Sequence, residues 1–178
     1  MTRYVALLGS INVGGNRLSM AELREALLRE DFDDVETVVA SGNVMFTHEE
    51  RPTGGLAEKI AYVVSDRFDI ETFATVLTHD DLQAALDACP FADDGDEKLV
   101  HVGFLDGALD EAAFAALERD QAGRGPERLA AAGDIVYIDF ADGVAASRLT
   151  KPFIERRLGR QITMRNLRSV RRIIEKMA

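Results

Sequence analysis

Residues 4–24, YVALLGSINVGGNRLSMAELR, decide the first part of the fold because three local signals follow one another in them. The apolar run YVALL, with β-favouring tyrosine and valine, predicts a strand over residues 3–8. The segment GSINVGGNR, rich in glycine and asparagine, predicts a loop. Ser19 and Glu22 have the spacing of a capping box, which predicts that a helix starts there.

Working outward, apolar and turn patterns continue this alternation to residue 78. Further strands are predicted over residues 35–40, 44–47 and 72–77, and helices over residues 20–30 and 56–68. Ser41-Gly42-Asn43 predicts a tight turn between two of these strands, because glycine tolerates positive φ. The resulting order, β-α-β-β-α-β, is that of a ferredoxin-like unit. Residues 1–78 are therefore predicted to form a first lobe.

The second half nearly repeats the pattern. Strands are predicted over residues 99–104, 127–132 and 135–139, with a short one left open at 161–164, and helices over residues 79–88, 111–118, 152–159 and after Asn166. The fold class is thus α+β with two ferredoxin-like lobes, the second an incomplete repeat with extra C-terminal helices. Residues 79–178 form the second lobe, and we expect both lobes to pack as one compact unit.

Composition excludes several classes of protein. With 178 residues, 47% hydrophobic and 29% charged, the chain is typical of soluble globular proteins. It has no apolar run of membrane-spanning length and no signal-peptide pattern, so a cytoplasmic protein without a membrane partner is expected. The single cysteine, Cys89, excludes an internal disulfide and is interpreted as a packed residue. The acidic clusters lack metal-ligand spacing, so no metal site is predicted.

The net charge of −10 is unevenly distributed. Residues 148–178 hold ten basic and two acidic side chains, so the rest of this acidic protein carries −18. A basic segment can serve as a surface for nucleic acid. Here it lacks the aromatic residues on which bases stack, and the whole chain repels polyanions. We therefore interpret the segment as matching acidic helices within the protein, and nucleic acid is not an expected partner.

The glycine-rich loop is the principal candidate site. Its paired glycines allow backbone amides to approach a ligand, and a loop that leads into a helix N-terminus presents oriented donors to an anion. The candidate residues there are Ser10, Asn12, Gly14, Gly15, Asn16 and Arg17. The spacing is neither that of a P-loop nor that of a dinucleotide fingerprint. The alternative is that these residues only turn the chain.

Two other segments add candidates. In a ferredoxin-like sheet the first and third strands are antiparallel neighbours, so Ser41 and Asn43 are predicted to lie beside the loop, with Asn12 near Asn43. Arg148 and Lys151 lie with two hydroxyls just ahead of a helix, where they could hold an anion. The alternatives are hydrogen bonds that tie two loops together in the first case, and helix capping by Thr150 in the second.

Several motifs resemble the domain-of-unknown-function family 1697. They are YVALL, INVGG and MAELR near the start, ASGNVMF at residues 40–46, Pro90-Phe91, the stretch from Asp142-Gly143 to SRLT at 147–150, and Arg165-Asn166. The resemblance covers essentially the full chain and implies a two-lobed α+β fold, but no activity. This chain has Gly9-Ser10 where the family usually has Arg-Gly, and Leu167 where it usually has tryptophan.

The sequence supports three classes of function. The first is a module that binds a small anionic ligand, phosphate-containing or nucleotide-like, at the glycine-rich loop. The second is an enzyme of unrecognised type that uses the same loop, and the third is a protein-interaction module. Substrate, cofactor, oligomeric state and pathway are left open by the sequence, as is the effect of the two departures from the family pattern.

Overall fold

The structure is a computed structural model that describes residues 1–9, 11, 17–39 and 42–178. In these residues the chain forms two four-stranded antiparallel sheets, each packed with helices, which confirms the predicted α+β fold with two similar lobes. The strands are β1 Thr2–Leu8, β2 Asp33–Thr37, β3 Asn43–His48, β4 Ala74–Thr78, β5 Val100–Leu105, β6 Arg128–Ala132, β7 Ile135–Asp139 and β8 Ile162–Asn166. The helices are α1 Met20–Leu28, α2 Thr53–Phe68, α3 His79–Asp87, α4 Glu111–Gln121, α5 Lys151–Leu158 and α6 Leu167–Met177.

The first sheet has the strand order β2-β3-β1-β4. Its central pair is antiparallel, as predicted, and runs from Thr2 opposite His48 to Leu7 opposite Asn43. The end of β1 therefore lies beside the start of β3. Helices α1 and α2 connect strands of this sheet and contribute apolar residues to its core, which include Leu23 and Ile60.

The second sheet has the order β6-β7-β5-β8, which is the same order one repeat later. Strand β8 pairs with β5 from His101 opposite Asn166 to Leu105 opposite Ile162, so it completes the second lobe where the sequence predicted an incomplete repeat. Only the first two residues of this strand, ITMRN, are buried, so its sequence carries a weak strand pattern. The two halves of the chain therefore have the same order of elements, β-α-β-β-α-β followed by one more helix.

Helix boundaries follow the predicted caps. The Ser19 hydroxyl accepts a hydrogen bond from the amide of Glu22 at 3.3 Å, and the Asn166 side chain accepts one from Ser169 at 2.9 Å. Helix α5 has proline in its first turn and ends at Gly159, whose φ of 66° lies in the left-handed region that glycine adopts readily. Local sequence chemistry thus determines where these helices begin and end.

Strand β2 differs from the prediction over residues 35–40. It begins at Asp33 and ends at Thr37, because Val39 has a φ of 65° and leaves the extended region. The amide of Val38 instead bonds the carbonyl of Asn43 at 3.0 Å, at the base of the predicted turn. Gly42 has a φ of 90°, which agrees with the role expected for glycine in this turn.

By its contacts the chain divides into two compact units. The first consists of Met1–Gln83 and Arg172–Ala178, and the second of Ala84–Arg171. Each has its own apolar core around one sheet, which includes Phe46 in the first unit and Ile138 in the second. None of the helices in the described part of the chain is both long and apolar enough to cross a bilayer.

Candidate functional site

The two segments predicted to form the principal site start from the same end of the first sheet. The amide of Leu8 donates to the carbonyl of Gly42 at 2.8 Å, which joins the end of β1 to the turn before β3. The amide of Gly9 donates to Phe73 at 2.9 Å, and the Thr72 hydroxyl donates to the Gly9 carbonyl. Backbone hydrogen bonds therefore fix the position at which the chain leaves β1 and enters the loop.

Most of the predicted loop residues lie outside the described residues. They are Ser10, Asn12, Gly14, Gly15, Asn16 and, in the turn, Ser41. The predicted proximity of Asn12 to Asn43 stays a prediction for the same reason. The described neighbours on either side, Ile11 and Leu18, are both buried in the first core.

The remaining first-unit candidates differ in exposure. Arg17 is exposed just before α1, whereas Asn43 is fully buried and pairs opposite Leu7. The Ser19 side chain already accepts one of the amides at the N-terminus of α1. Arg17 is thus the described candidate whose charge can be changed without disturbing the core.

Arg148 and Lys151 belong to the second unit. The hydroxyls near them have structural partners: the Thr150 hydroxyl caps α5 by accepting from Phe153 at 3.4 Å, and the Ser147 hydroxyl donates to Glu127 at 2.5 Å. The Glu127 carboxylate also adds negative charge there, which opposes an anion. These contacts agree with the capping alternative for this segment.

Burial alone raises the pKa of the Glu127 carboxyl, but hydrogen bonds outweigh it. Ser147 and Gln121 donate to the two carboxylate oxygens, at 2.5 and 2.9 Å, and the pKa of Glu127 lies below its usual value. Arg124 adds positive charge nearby and stacks on Phe153 at 4.2 Å. This polar group holds the end of α4 against the loop before α5.

Sequence analysis missed a cleft of about 720 Å³ in the first unit. It lies where β1 begins and β3 ends, at the opposite end of the sheet from the glycine-rich loop. Thr2–His48 and Leu7–Asn43 mark the two ends, about 17 Å apart at strand spacing. The lining includes acidic Asp31, Asp33 and Glu49, and basic Arg51 and Lys59.

An aromatic cluster lies behind this cleft. The ring of Phe32 contacts those of Phe46 and His48, with centroids 4.9 and 5.4 Å away, and Lys59 Nζ lies 5.1 Å from the Phe32 centroid. Arg51 forms an ion pair with Glu49 at 3.0 Å, with both side chains largely exposed. No spacing signal in the sequence could reveal this site, because the strand register assembles it.

The equivalent end of the second sheet is filled by an ion-pair network. The Arg128 guanidinium donates to both oxygens of Asp94 at 3.0 Å and to Asp139 at 2.7 and 3.0 Å, and it stacks on Phe91 at 4.5 Å. The hydrogen bonds from Arg128 hold the pKa of Asp94 below its usual range. Those from Asp94 and Asp139 raise the pKa of Arg128.

Burial shifts the pKa values of other titratable groups in the second unit. Burial lowers the pKa of His101. It also lowers the pKa of Arg165 to about 10, and Nη1 of this arginine donates to Thr163 at 2.7 Å. It raises the pKa of the Cys89 thiol, which opposes a nucleophilic role. Within the described residues, no group of three or more His, Cys, Asp or Glu side chains is arranged to hold a metal ion.

The sequence model for "Protein of unknown function (DUF1697)" matches residues 1–137, which is more than half of the chain. The chain therefore belongs to this family, as the motifs predicted.

A solved structure has a similar fold. It is that of the conserved bacterial protein SP0830 from Streptococcus pneumoniae, which matches with a TM-score of 0.72 and 25% sequence identity over 99% of this chain and 98% of that one. No curated protein matches the chain. The likeness thus extends over both units, and neither description supplies an activity.

Proposed function

We propose that the protein binds a small anionic ligand, phosphate-containing or nucleotide-like, at the glycine-rich loop between β1 and α1. The observation that carries the proposal is the hydrogen bond of 2.8 Å between Leu8 and Gly42. It joins the end of β1, where the loop begins, to Gly42 of the predicted Ser41-Gly42-Asn43 turn. Arg17, exposed at the start of α1, adds positive charge beside the helix N-terminus.

The proposal includes the cellular setting. The protein acts in the cytoplasm on a small molecule, without nucleic acid as a partner. The exclusion of nucleic acid is supported by the basic C-terminal segment, where Arg157 pairs with Asp120 and Arg171 with Glu97, each at 3.1 Å. A salt titration of binding to duplex DNA, with and without Arg168→Ala plus Arg172→Ala, tests the exclusion of nucleic acid.

A thermal-shift measurement with inorganic phosphate, ADP and ATP tests the ligand. A ligand at 100 times its Kd adds about 2.7 kcal/mol to the free energy of unfolding. For a chain of this size that raises the melting temperature by roughly 5–10 °C. Arg17→Ala should weaken this stabilisation, because it removes the described cation nearest to the loop.

Arg29→Ala is the matched control, since Arg29 is exposed at the other end of the same helix. Equal effects of both substitutions, or no stabilisation by any of the three ligands, would contradict binding at the loop. Turnover of ADP or ATP, followed by phosphorus NMR and lost in Arg17→Ala, would instead favour the enzyme alternative.

A further inference from the structure

The cleft at the far end of the first sheet has the size of a ligand site. Its volume of about 720 Å³ lies within the roughly 300–1,000 Å³ typical of small-molecule pockets. It carries both signs of charge, and it is separate from the glycine-rich loop because it lies at the opposite end of β1. Whatever it binds is thus independent of the function proposed above.

Comparison with the second unit shows which part of the cleft is unfilled. Arg128 is the first residue of β6 and Asp139 the last of β7, and they are joined at 2.7 Å. The first residue of β2 is Asp33 and the last of β3 is His48, and the register pairs Asp33 with Thr47, one residue before His48. Among the described residues, the carboxylate of Asp33 has neither an ion pair nor a hydrogen bond. In the described part of the chain, Asp33 therefore has no cation bonded to it, whereas Asp139 is bonded to Arg128.

His48 supplies a hydrogen-bond acceptor. It is only 6% exposed and lines the cleft. Its Nδ1 lies 3.0 Å from the carbonyl oxygen of Glu49, which can only accept, so Nδ1 donates. In the tautomer that carries its proton on Nδ1, Nε2 is an acceptor. No described group bonds Nε2. With Asp31 and Asp33, this nitrogen suits an ammonium or amine group.

The other wall suits an acidic group. Helix α2 begins there, and Pro52, at its N-cap position, provides no side-chain hydrogen bond. Within the described residues no acceptor bonds the amides of Thr53 and Gly54, and the first turn has no acidic residue. Lys59 adds an ammonium one turn further along. A helix N-terminus with a neighbouring cation favours carboxylate or phosphate.

Two glycines in the first turn of α2 have no packing reason. A Cβ placed on Gly54 or Gly55 would meet nothing within 4 Å. Glycine at a helical position costs up to about 1 kcal/mol relative to alanine. Of the two, Gly55 lines the cleft. Its missing side chain keeps the helix backbone accessible to a ligand.

We propose that this cleft binds a small zwitterion. Its amine lies against Asp31, Asp33 and Nε2 of His48, and its carboxylate or phosphate lies at the start of α2 beside Lys59. The exposed pair of Arg51 and Glu49 costs little to open, because such pairs contribute about 0–1 kcal/mol.

Isothermal titration of the full chain with phosphoethanolamine, glycine and 4-aminobutyrate tests the proposal. Ethanolamine and inorganic phosphate serve as probes of the two halves. At least one zwitterion should bind at least about tenfold more tightly than either half. Gly55→Leu should abolish this binding, because it fills the cleft at the helix backbone, and Lys59→Gln should weaken it.

Gly54→Leu is the matched control, since both glycines have open space and only Gly55 lines the cleft. It should leave the affinity unchanged, as should Arg17→Ala at the other end of the sheet. Three results would overturn the proposal: no zwitterion binding up to about 10 mM, the halves binding as tightly as the zwitterions, or Gly54→Leu acting as strongly as Gly55→Leu.

Discussion

The two units share one strand order, but they treat the same end of the sheet in opposite ways. In the second unit, Arg128 joins Asp94 and Asp139 across the end of the sheet. In the first unit, the first residue of β2, Asp33, and the last residue of β3, His48, line an open cleft. Apolar patterning therefore determines the common fold, while a few polar residues determine whether an end is closed.

The largest expected effect comes from opening the closed end. Asp139→Ala removes a mostly buried carboxylate that accepts two hydrogen bonds from Arg128 and one from the amide of Ala141 at 3.0 Å. Hydrogen bonds to charged groups contribute about 1.5–3 kcal/mol each. We expect the free energy of unfolding in urea to fall by about 2–3 kcal/mol.

Asp94→Ala is the control on the exposed side of the same guanidinium. It should cost much less, because water replaces the lost carboxylate. If both substitutions had the same small effect, the network would not be what closes this end.

The next comparison concerns equivalent glycines seven residues after Thr2 and Val100. A Cβ on Gly9 would lie 2.7 Å from the Phe73 ring, and one on Gly107 would lie 2.5 Å from Nη1 of Arg160. An aromatic ring has fewer ways to move aside than the end of an arginine. We expect Gly9→Ala to cost about 1–3 kcal/mol, and Gly107→Ala less, in chemical denaturation.

The cost of Gly9→Ala should shrink in a Phe73→Leu background, as a double-mutant cycle would show. A constant cost would mean that the backbone, rather than the ring, requires glycine at this position. Phe73 occupies the space into which a side chain at residue 9 would begin.

A smaller difference is expected between two buried tyrosines. The Tyr137 hydroxyl donates to the carbonyl of Ala85 at 2.6 Å, and burial raises its pKa to about 12. The Tyr4 hydroxyl makes only longer bonds, 3.3 and 3.5 Å, to the backbone of Arg51. Tyr137→Phe should cost about 1 kcal/mol in urea denaturation and Tyr4→Phe less. Equal losses of stability would show that the lengths of these hydrogen bonds do not determine what each tyrosine hydroxyl contributes.

The smallest expected effect is on pH dependence in the second unit. Burial holds the pKa of His101 below 6.5, so the unfolded chain takes up the proton first. This contribution to stability is present above pH 6.5 and is lost as pH falls towards the folded-state pKa. In His101→Gln the urea midpoint should change less with pH between about pH 6.5 and 5. Above about pH 8 it should differ from that of the unmodified protein by a constant amount. An unchanged slope would contradict the assignment.

The sequence predicted elements better than sites. Caps at Ser19 and Asn166 identified helix starts because the signal lies within four residues. The strand predicted over 35–40 was misplaced, since Val38 and Val39 are β-branched but the turn places Val39 at positive φ. The cleft was missed because Asp33, His48 and Lys59 meet only through strand register and the start of α2. The loop candidates from Ser10 to Asn16 stay predictions.

Strand β2 also affects whether copies of the protein aggregate with one another. It lies at the edge of its sheet, Asp33, Asp34 and Glu36 are exposed, and its register shifts between Asp33 and Glu36. Arg3 donates to the Asp34 carbonyl at 2.7 Å, so this backbone acceptor of β2 is already used. A bent, negatively charged edge is a poor template for a strand from another molecule. The irregularity of β2 thus protects the first sheet from growing into a fibre.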